Sequence, residues 1–180
     1  IDPDGNQTRL NNVRNDCSGE AAGAFRLYAH VFGDASAKQV AENLDRFTYG
    51  TMMIKEGLFD GFMRWSDEAW EVCYQDDVAR CILSGLYKCL FLNDDTVYPE
   101  VCRALDAMVR LTARDGCRRP RFDLPDVTEE TFAKCRAEEH SSLSVHHNSY
   151  LLGALLLAHK VKKNPVYLEI GRRGLETLMA

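Results

Sequence analysis

The sequence predicts an all-α protein built from antiparallel helical hairpins. Three segments each contain a helix, a short turn rich in Asn, Asp, Gly or Pro, and a second helix; they cover residues 19–49, 77–113 and 149–179. Apolar residues recur within them at helical spacing, as at Leu83, Leu86, Tyr87 and Leu90. Strand signals are weak, because few β-branched residues alternate with polar ones.

The turns inside the hairpins set the boundaries of the predicted helices. Gly33-Asp34 separates helices over 19–32 and 35–49, and Asn93-Asp94-Asp95 separates helices over 77–92 and 97–113. Asn164-Pro165 separates helices over 149–161 and 166–179. Such residues end one helix and cap the next. Because the connections are short, the two helices of each hairpin should run antiparallel.

Two long links join the hairpins, over residues 51–76 and 115–148. The second link predicts a short extra helix over 128–139, where Thr128 precedes acidic residues in the manner of a helix start. The links carry Trp, Asp, Arg and His, and functional residues concentrate on loops held by a rigid frame. We expect residues 1–180 to form a single domain with its functional groups at the long-link end.

Composition excludes two classes of partner. The net charge is −5 and no stretch gathers Lys and Arg into a stripe, so a nucleic acid is not an expected partner. The longest apolar run, 150–158, is half the ~20 residues that span a bilayer, which favours a buried helix and no membrane.

The cysteines and the first residues bear on where the protein resides. Seven cysteines, an odd number with no C-x-x-C pair, indicate reduced thiols and a reducing, cytoplasmic compartment. The sequence begins at Ile1 rather than Met, which points to a trimmed N terminus.

Four motifs resemble the six-hairpin glycosidase superfamily. They are RNDCSGE at 14–20, GFMRWSD at 61–67, YQDDVAR at 74–80 and HHNSY at 146–150, each opening a hairpin or lying in the link before one. The resemblance implies part of an α/α toroid that binds a sugar or oligosaccharide and hydrolyses a glycosidic bond without a cofactor. The superfamily's toroid has six hairpins and this sequence shows three. We therefore expect the remainder of a longer chain, or a second copy, to cover the open edges.

Asp76 and Asp77 are the predicted proton-transfer residues. Two adjacent carboxylates that repel one another can have separated pKa values, as glycoside hydrolysis requires. The simpler interpretation is that both sit at the positive end of a helix, with Asp76 as its cap and Asp77 paired with Arg80.

A second group is predicted to contact the sugar. Trp65 and Trp70 would stack on sugar rings, and Arg64 would hold hydroxyl groups; alternatively, the two tryptophans only cover the core beneath the link. Asp16 is a further predicted polar contact. Asp16 and Glu20 are four residues apart and share one helix face, but Asp16 also suits a helix N-cap.

His147 is the last predicted polar contact, within the pair His146-His147. Adjacent histidines on a helix point about 100° apart, so we expect no metal site. A histidine could instead act as a general acid or base. Sugar 2-epimerases of the N-acylglucosamine type, which share the α/α toroid, use histidines in this way.

Three functions therefore stay open. The first is glycoside hydrolysis, the second is a sugar epimerase or lyase on the same fold, and the third is a helical scaffold for protein association. Nucleotide-binding and serine-hydrolase functions are excluded, because the sequence contains no glycine-rich phosphate loop and no G-x-S-x-G motif.

Overall fold

A computed structural model describes residues 11–139 and 144–180. Besides a π-helix at Arg46–Thr51 and 3₁₀-helices at Gly57–Phe59 and Leu124–Asp126, this part of the chain contains seven α-helices and one two-stranded sheet. In chain order they are α1 (Asn15–Phe32), α2 (Ala35–Asp45), β1 (Val72–Tyr74), α3 (Gln75–Leu92), α4 (Tyr98–Arg110), β2 (Arg121–Asp123), α5 (Glu129–Ala137), α6 (Val145–Val161) and α7 (Pro165–Met179). Ile1, the start of the sequence, lies outside the described residues.

The three predicted hairpins are confirmed as α1/α2, α3/α4 and α6/α7. Gly33 and Asn93 adopt left-handed backbone conformations at the ends of α1 and α3. The side chains of Asp34 and Asn164 cap α2 and α7. The main difference lies at the first helices, which begin earlier than expected because polar residues fill their first turns.

The first helices of the hairpins form one layer. α1 packs against α3, and α3 packs against α6, while α2, α4 and α7 each contact the first helix of their own hairpin. The core is centred on α3, α4 and α6, whose buried apolar side chains include Ile82, Leu86, Leu105, Leu151 and Leu155. This order places the starts of α1, α3 and α6 at the same end of the layer, where the long links also lie.

Glycines allow α1 to approach α3 closely. A Cβ added at Gly19 would lie 2.6 Å from the Cα of Cys81, which is closer than real Cβ atoms approach. One turn later, a Cβ at Gly23 would lie 3.1 Å from Ser84 Oγ. The absence of these two side chains therefore sets the distance between the two helices.

The first long link folds back across the start of α1. The amide of Asn15 donates to the carbonyl of Trp65 over 2.8 Å, and a bridge joins Arg14 to Ser66. The short antiparallel pairing of β1 with β2, with Cys73 opposite Phe122, joins this link to the second one. These three-residue strands were not predicted, since each is too short to show an alternating pattern.

Several smaller predictions can be compared with the structure. Thr128 caps α5 by accepting a hydrogen bond from the amide of Thr131, as expected. All seven cysteine thiols are free. The apolar run at 150–158 lies in α6, where most of its side chains are buried. No helix in the described ranges has both the length and the apolar character needed to cross a membrane.

Candidate functional site

The starts of α1 and α3 carry acidic residues inside the helices rather than at their caps. Arg14 occupies the N-cap position of α1 and Tyr74 that of α3, and neither side chain makes a capping hydrogen bond. The predictions that Asp16 and Asp76 serve as helix caps are therefore wrong. Both carboxylates lie within the first turn and are almost fully buried, Asp16 at 1% and Asp76 at 5% exposure.

Two arginines hold the carboxylates of Asp16 and Asp77 together. Arg14 donates to Asp16 through Nε (3.0 Å) and Nη2 (2.6 Å), and the same Nη2 lies 3.6 Å from Asp77 Oδ1. Arg80 Nη1 lies 3.3 Å from Asp77 Oδ1 and 3.5 Å from Asp16 Oδ2. Arg80 also donates through Nε to Glu20 over 2.8 Å. The predicted Asp77–Arg80 pair is confirmed as part of a larger network between α1 and α3.

Asp77 is the carboxyl group most perturbed by this arrangement. Burial first, and then the neighbouring carboxylates of Asp16 and Asp76, raise its pKa to about 6 against the opposing effect of Arg14 and Arg80. The hydrogen bond to Glu20 raises the pKa of the Arg80 guanidinium, which therefore stays charged. Asp77 is thus a carboxyl group that can hold a proton near neutral pH.

Asp76 faces the other way, toward the start of α6. Its Oδ1 lies 3.1 Å from His147 Nδ1, and its Oδ2 lies 3.3 Å from His146 Nε2. The two imidazole rings stand 5.2 Å apart at 76°. Although adjacent histidines point about 100° apart on a helix, both rings lie close to this one carboxylate, because each ring faces a different oxygen of Asp76.

Buried amides fix the starts of α3 and α6 relative to each other. Gln75 Nε2 donates to Asn148 Oδ1 over 3.3 Å and to the Arg118 carbonyl over 3.0 Å. Asn148 Oδ1 also accepts from the amide of Arg118 over 2.9 Å. Gln75 and Asn148 are both fully buried. Asp76 and His147 are their chain neighbours, so these hydrogen bonds fix the backbone from which both side chains project.

A cavity of about 450 Å³ opens beside the carboxylate network, between α1 and α3. Glu20, Arg80 and Tyr150 line one part of it, and Leu27, Leu83 and Tyr87 supply apolar wall. The Arg80 guanidinium lies 5.6 Å from the centre of the Tyr150 ring. Mostly apolar cavities of ~300–1,000 Å³ with a few polar groups are typical of small-molecule sites.

The predicted sugar-contact residues separate into two places. Trp65 lies near the network: the Arg14 guanidinium is 5.1 Å from its ring centre, and Tyr74 packs edge-on against it at 5.1 Å. Trp70 is 42% exposed and lies under the Arg64 guanidinium at 4.5 Å. Within the described part of the chain, no hydrogen bond, ion pair or ring contact joins the side chains of Trp70 and Arg64 to the carboxylates.

Sequence reasoning assigned no role to several residues of the site. Gln75, Asn148 and Tyr150 fall inside the motifs that carried the family resemblance, but nothing in their spacing indicated that they meet. Arg118 belongs to the short basic sequence Arg118-Arg119-Pro120-Arg121, yet its side chain is fully buried and its guanidinium lies 5.2 Å from the centre of the Phe122 ring. A buried amide or guanidinium leaves no local pattern, since its partners come from other helices.

Comparison with known proteins adds a similarity of fold. No protein-family model matches the chain, and no curated protein matches it. The crystal structure of a sugar epimerase from a ruminal bacterium is similar, with a TM-score of 0.65 and 13% sequence identity. The alignment covers 92% of this chain and 42% of the epimerase chain, so the three hairpins span less than half of that protein. The prediction of an all-α chain forming part of an α/α toroid is thereby confirmed.

Proposed function

We propose that this chain is part of a carbohydrate-active toroid that hydrolyses a glycosidic bond, with Asp77 as proton donor and Asp76 as the second carboxylate. The observation that carries the proposal is the cluster of buried carboxylates at the long-link end, beside a cavity that follows α1 and α3 from Glu20 and Arg80 to Leu92. Glycoside hydrolysis needs two carboxyl groups in different environments. Asp77 lies between two arginines, whereas Asp76 contacts only imidazoles among the described residues, so the pair meets this requirement.

The cavity supplies a surface on which a sugar ring can lie. Tyr150 and Tyr87 offer aromatic contact to the C–H face of a ring, and Glu20 and Arg80 offer hydrogen bonds to its hydroxyl groups. Trp65 contacts Arg14, which binds both Asp16 and Asp77. Binding of a sugar at the carboxylates should therefore change the environment of Trp65. We also infer a reducing compartment such as the cytoplasm, because all seven cysteines are free.

A second candidate function is sugar epimerisation. It is favoured by the contact of Asp76 with both histidines, since a carboxylate can orient an imidazole as a general base. The similar structure is that of a sugar epimerase, although 13% identity indicates only a shared fold. This function would require His147, and Asp77 would be dispensable.

The test is tryptophan fluorescence during titration with neutral, amino and acidic sugars and their oligomers, using the whole chain. We expect a saturable change that persists in Trp70→Phe and is lost in Trp65→Phe, because only Trp65 lies beside the carboxylates. A response lost equally in both variants, or kept in Trp65→Phe, would contradict this placement of the site. No response from a folded protein would favour the scaffold function, and a mass measurement in solution would then test self-association.

Turnover of any sugar that binds separates the two enzymatic functions. Hydrolysis should fall by at least about 100-fold in Asp77→Asn, the lower limit of what general acid catalysis contributes, and much less in His147→Gln. The opposite order, with an isomeric sugar as product and the glycosidic bond intact, would establish the epimerase instead.

A further inference from the structure

The geometry points to a divalent transition-metal site formed by Asp76, His146 and His147. We propose that these three side chains bind one ion of the Zn²⁺ or Co²⁺ type. The site shares Asp76 and His147 with the proposed sugar chemistry, but its test measures metal binding and not turnover; it differs from the expectation that the two histidines cannot share an ion. One ligand atom from each of the three residues lies within 4.8 Å of the other two.

Unpaired buried atoms are the main observation in favour of an ion. Asp76 Oδ1 and His147 Nδ1 are both inaccessible to solvent, and neither has a hydrogen-bond partner among the described residues. They lie 3.1 Å apart, but not in the orientation of a hydrogen bond. Leaving such buried atoms unpaired is destabilising, so a ligand that contacts both would stabilise the fold.

The distances suit coordination by one ion. Two donors bound to zinc at ~2.1 Å stand ~3.4 Å apart at the tetrahedral angle. The contacts of Asp76 to the imidazoles, 3.1 Å from Oδ1 to His147 and 3.3 Å from Oδ2 to His146, are close to that separation, so both carboxylate oxygens would face the ion. The His146 side chain is 65% exposed and can rotate to complete the set. Its exposure also leaves coordination positions open to water or to a small ligand.

The donor set selects the class of ion. Two imidazole nitrogens with one carboxylate suit zinc, cobalt or iron, whereas Mg²⁺ and Ca²⁺ prefer oxygen donors throughout. The starts of α3 and α6 carry partial positive charge, which opposes a cation. The carboxylates of Asp16, Asp76 and Asp77 offset this effect, and the described arginines contact only Asp16, Asp77 and Glu20 within the cluster.

The ligand positions are fixed before the ion binds. The hydrogen bond between Gln75 and Asn148 joins the residues next to Asp76 and His147. Such outer contacts orient metal ligands, and their loss typically weakens binding ~10–100-fold. The site therefore has two fixed ligands, Asp76 and His147, and one adjustable ligand, His146.

The experiment measures metal binding rather than turnover. The whole chain is stripped with a chelator and titrated with Zn²⁺ by calorimetry and with Co²⁺ by visible absorption. We expect one ion per chain, a raised melting temperature, and binding weakened at least about tenfold in His146→Gln and in His147→Gln. His30→Gln is the matched control, because His30 is exposed on α1 away from the three ligands. It should bind like the unmodified protein.

If His147→Gln fails to fold, His146→Gln still tests the proposal, because the His146 side chain lies on the surface. Two outcomes would overturn the proposal. The first is no saturable binding of either ion by the folded protein. The second is equal binding by His146→Gln, His30→Gln and the unmodified chain, which would show that the ion binds elsewhere.

Discussion

The close approach of α1 to α3 provides a stability test with a built-in control. In Gly19→Ala the new Cβ would lie 2.6 Å from the backbone of Cys81, whereas ordinary contacts begin at 3.4 Å. The obstructing atom belongs to a helix backbone and cannot rotate away, so the helices must separate. Overpacking of this kind costs up to ~3 kcal/mol. Alanine regains ~1 kcal/mol of helix propensity, which leaves a net destabilisation of about 2 kcal/mol.

Gly153→Ala is the matched control for this substitution. Gly153 lies within α6, and a Cβ there would meet nothing within 4 Å. The propensity gain should then act alone and stabilise the protein by ~0.5–1 kcal/mol. The measurement is urea unfolding of both variants followed by far-UV circular dichroism. Equal changes in the free energy of unfolding for the two substitutions would refute the close packing of α1 on α3. They would also contradict the simultaneous contact of Arg80 with Asp16 and Asp77.

Two further predictions concern buried charges. The pKa of Asp77 is raised from 3.8 to about 6 in the folded state, so the folded protein binds this proton more tightly than the unfolded chain does. The free energy of unfolding should therefore fall as the pH rises from about 4 to 6. The measurement uses buffers that contain a chelator. Asp77→Asn should remove that part of the pH dependence, and an unchanged slope would contradict the assignment. The Arg118 guanidinium is buried with the Cys73 thiol beside it and no ion pair to a carboxylate among the described residues, and burial lowers its pKa. Arg118→Met should therefore stabilise the fold by ~1–2 kcal/mol in thermal melts, and a loss larger than 1 kcal/mol would indicate an unrecognised partner.

The hairpins could be predicted because their signals are local. Leu83, Leu86 and Leu90 repeat at the period of the helix in which they lie, and Gly33 ends a helix through its own backbone conformation. The strands β1 and β2 could not be predicted, because each has three residues and its pairing depends on the distant link opposite.

The candidate site was predicted only where its residues are neighbours in sequence. Asp76 and Asp77 are adjacent in the sequence, which by itself predicts that their carboxylates lie close together. Asp16 and Asp77 come close together because α1 packs tightly on α3, and the spacing of residues within one helix does not predict how two helices pack. Trp65 and Trp70 are close in sequence and were predicted to act together, but of the two only Trp65 contacts an arginine of the carboxylate network among the described residues.

The amide bridge between Gln75 and Asn148 has a consequence for local unfolding. It spans two hairpins at a fully buried position, so neither helix start can open without breaking the same hydrogen bonds. The first turns of α3 and α6 should therefore exchange their amide hydrogens with solvent together, as one cooperative unit. Just beyond the far ends of these helices the described link is the solvent-exposed Lys162–Asp95 ion pair, so these ends should exchange more independently of each other.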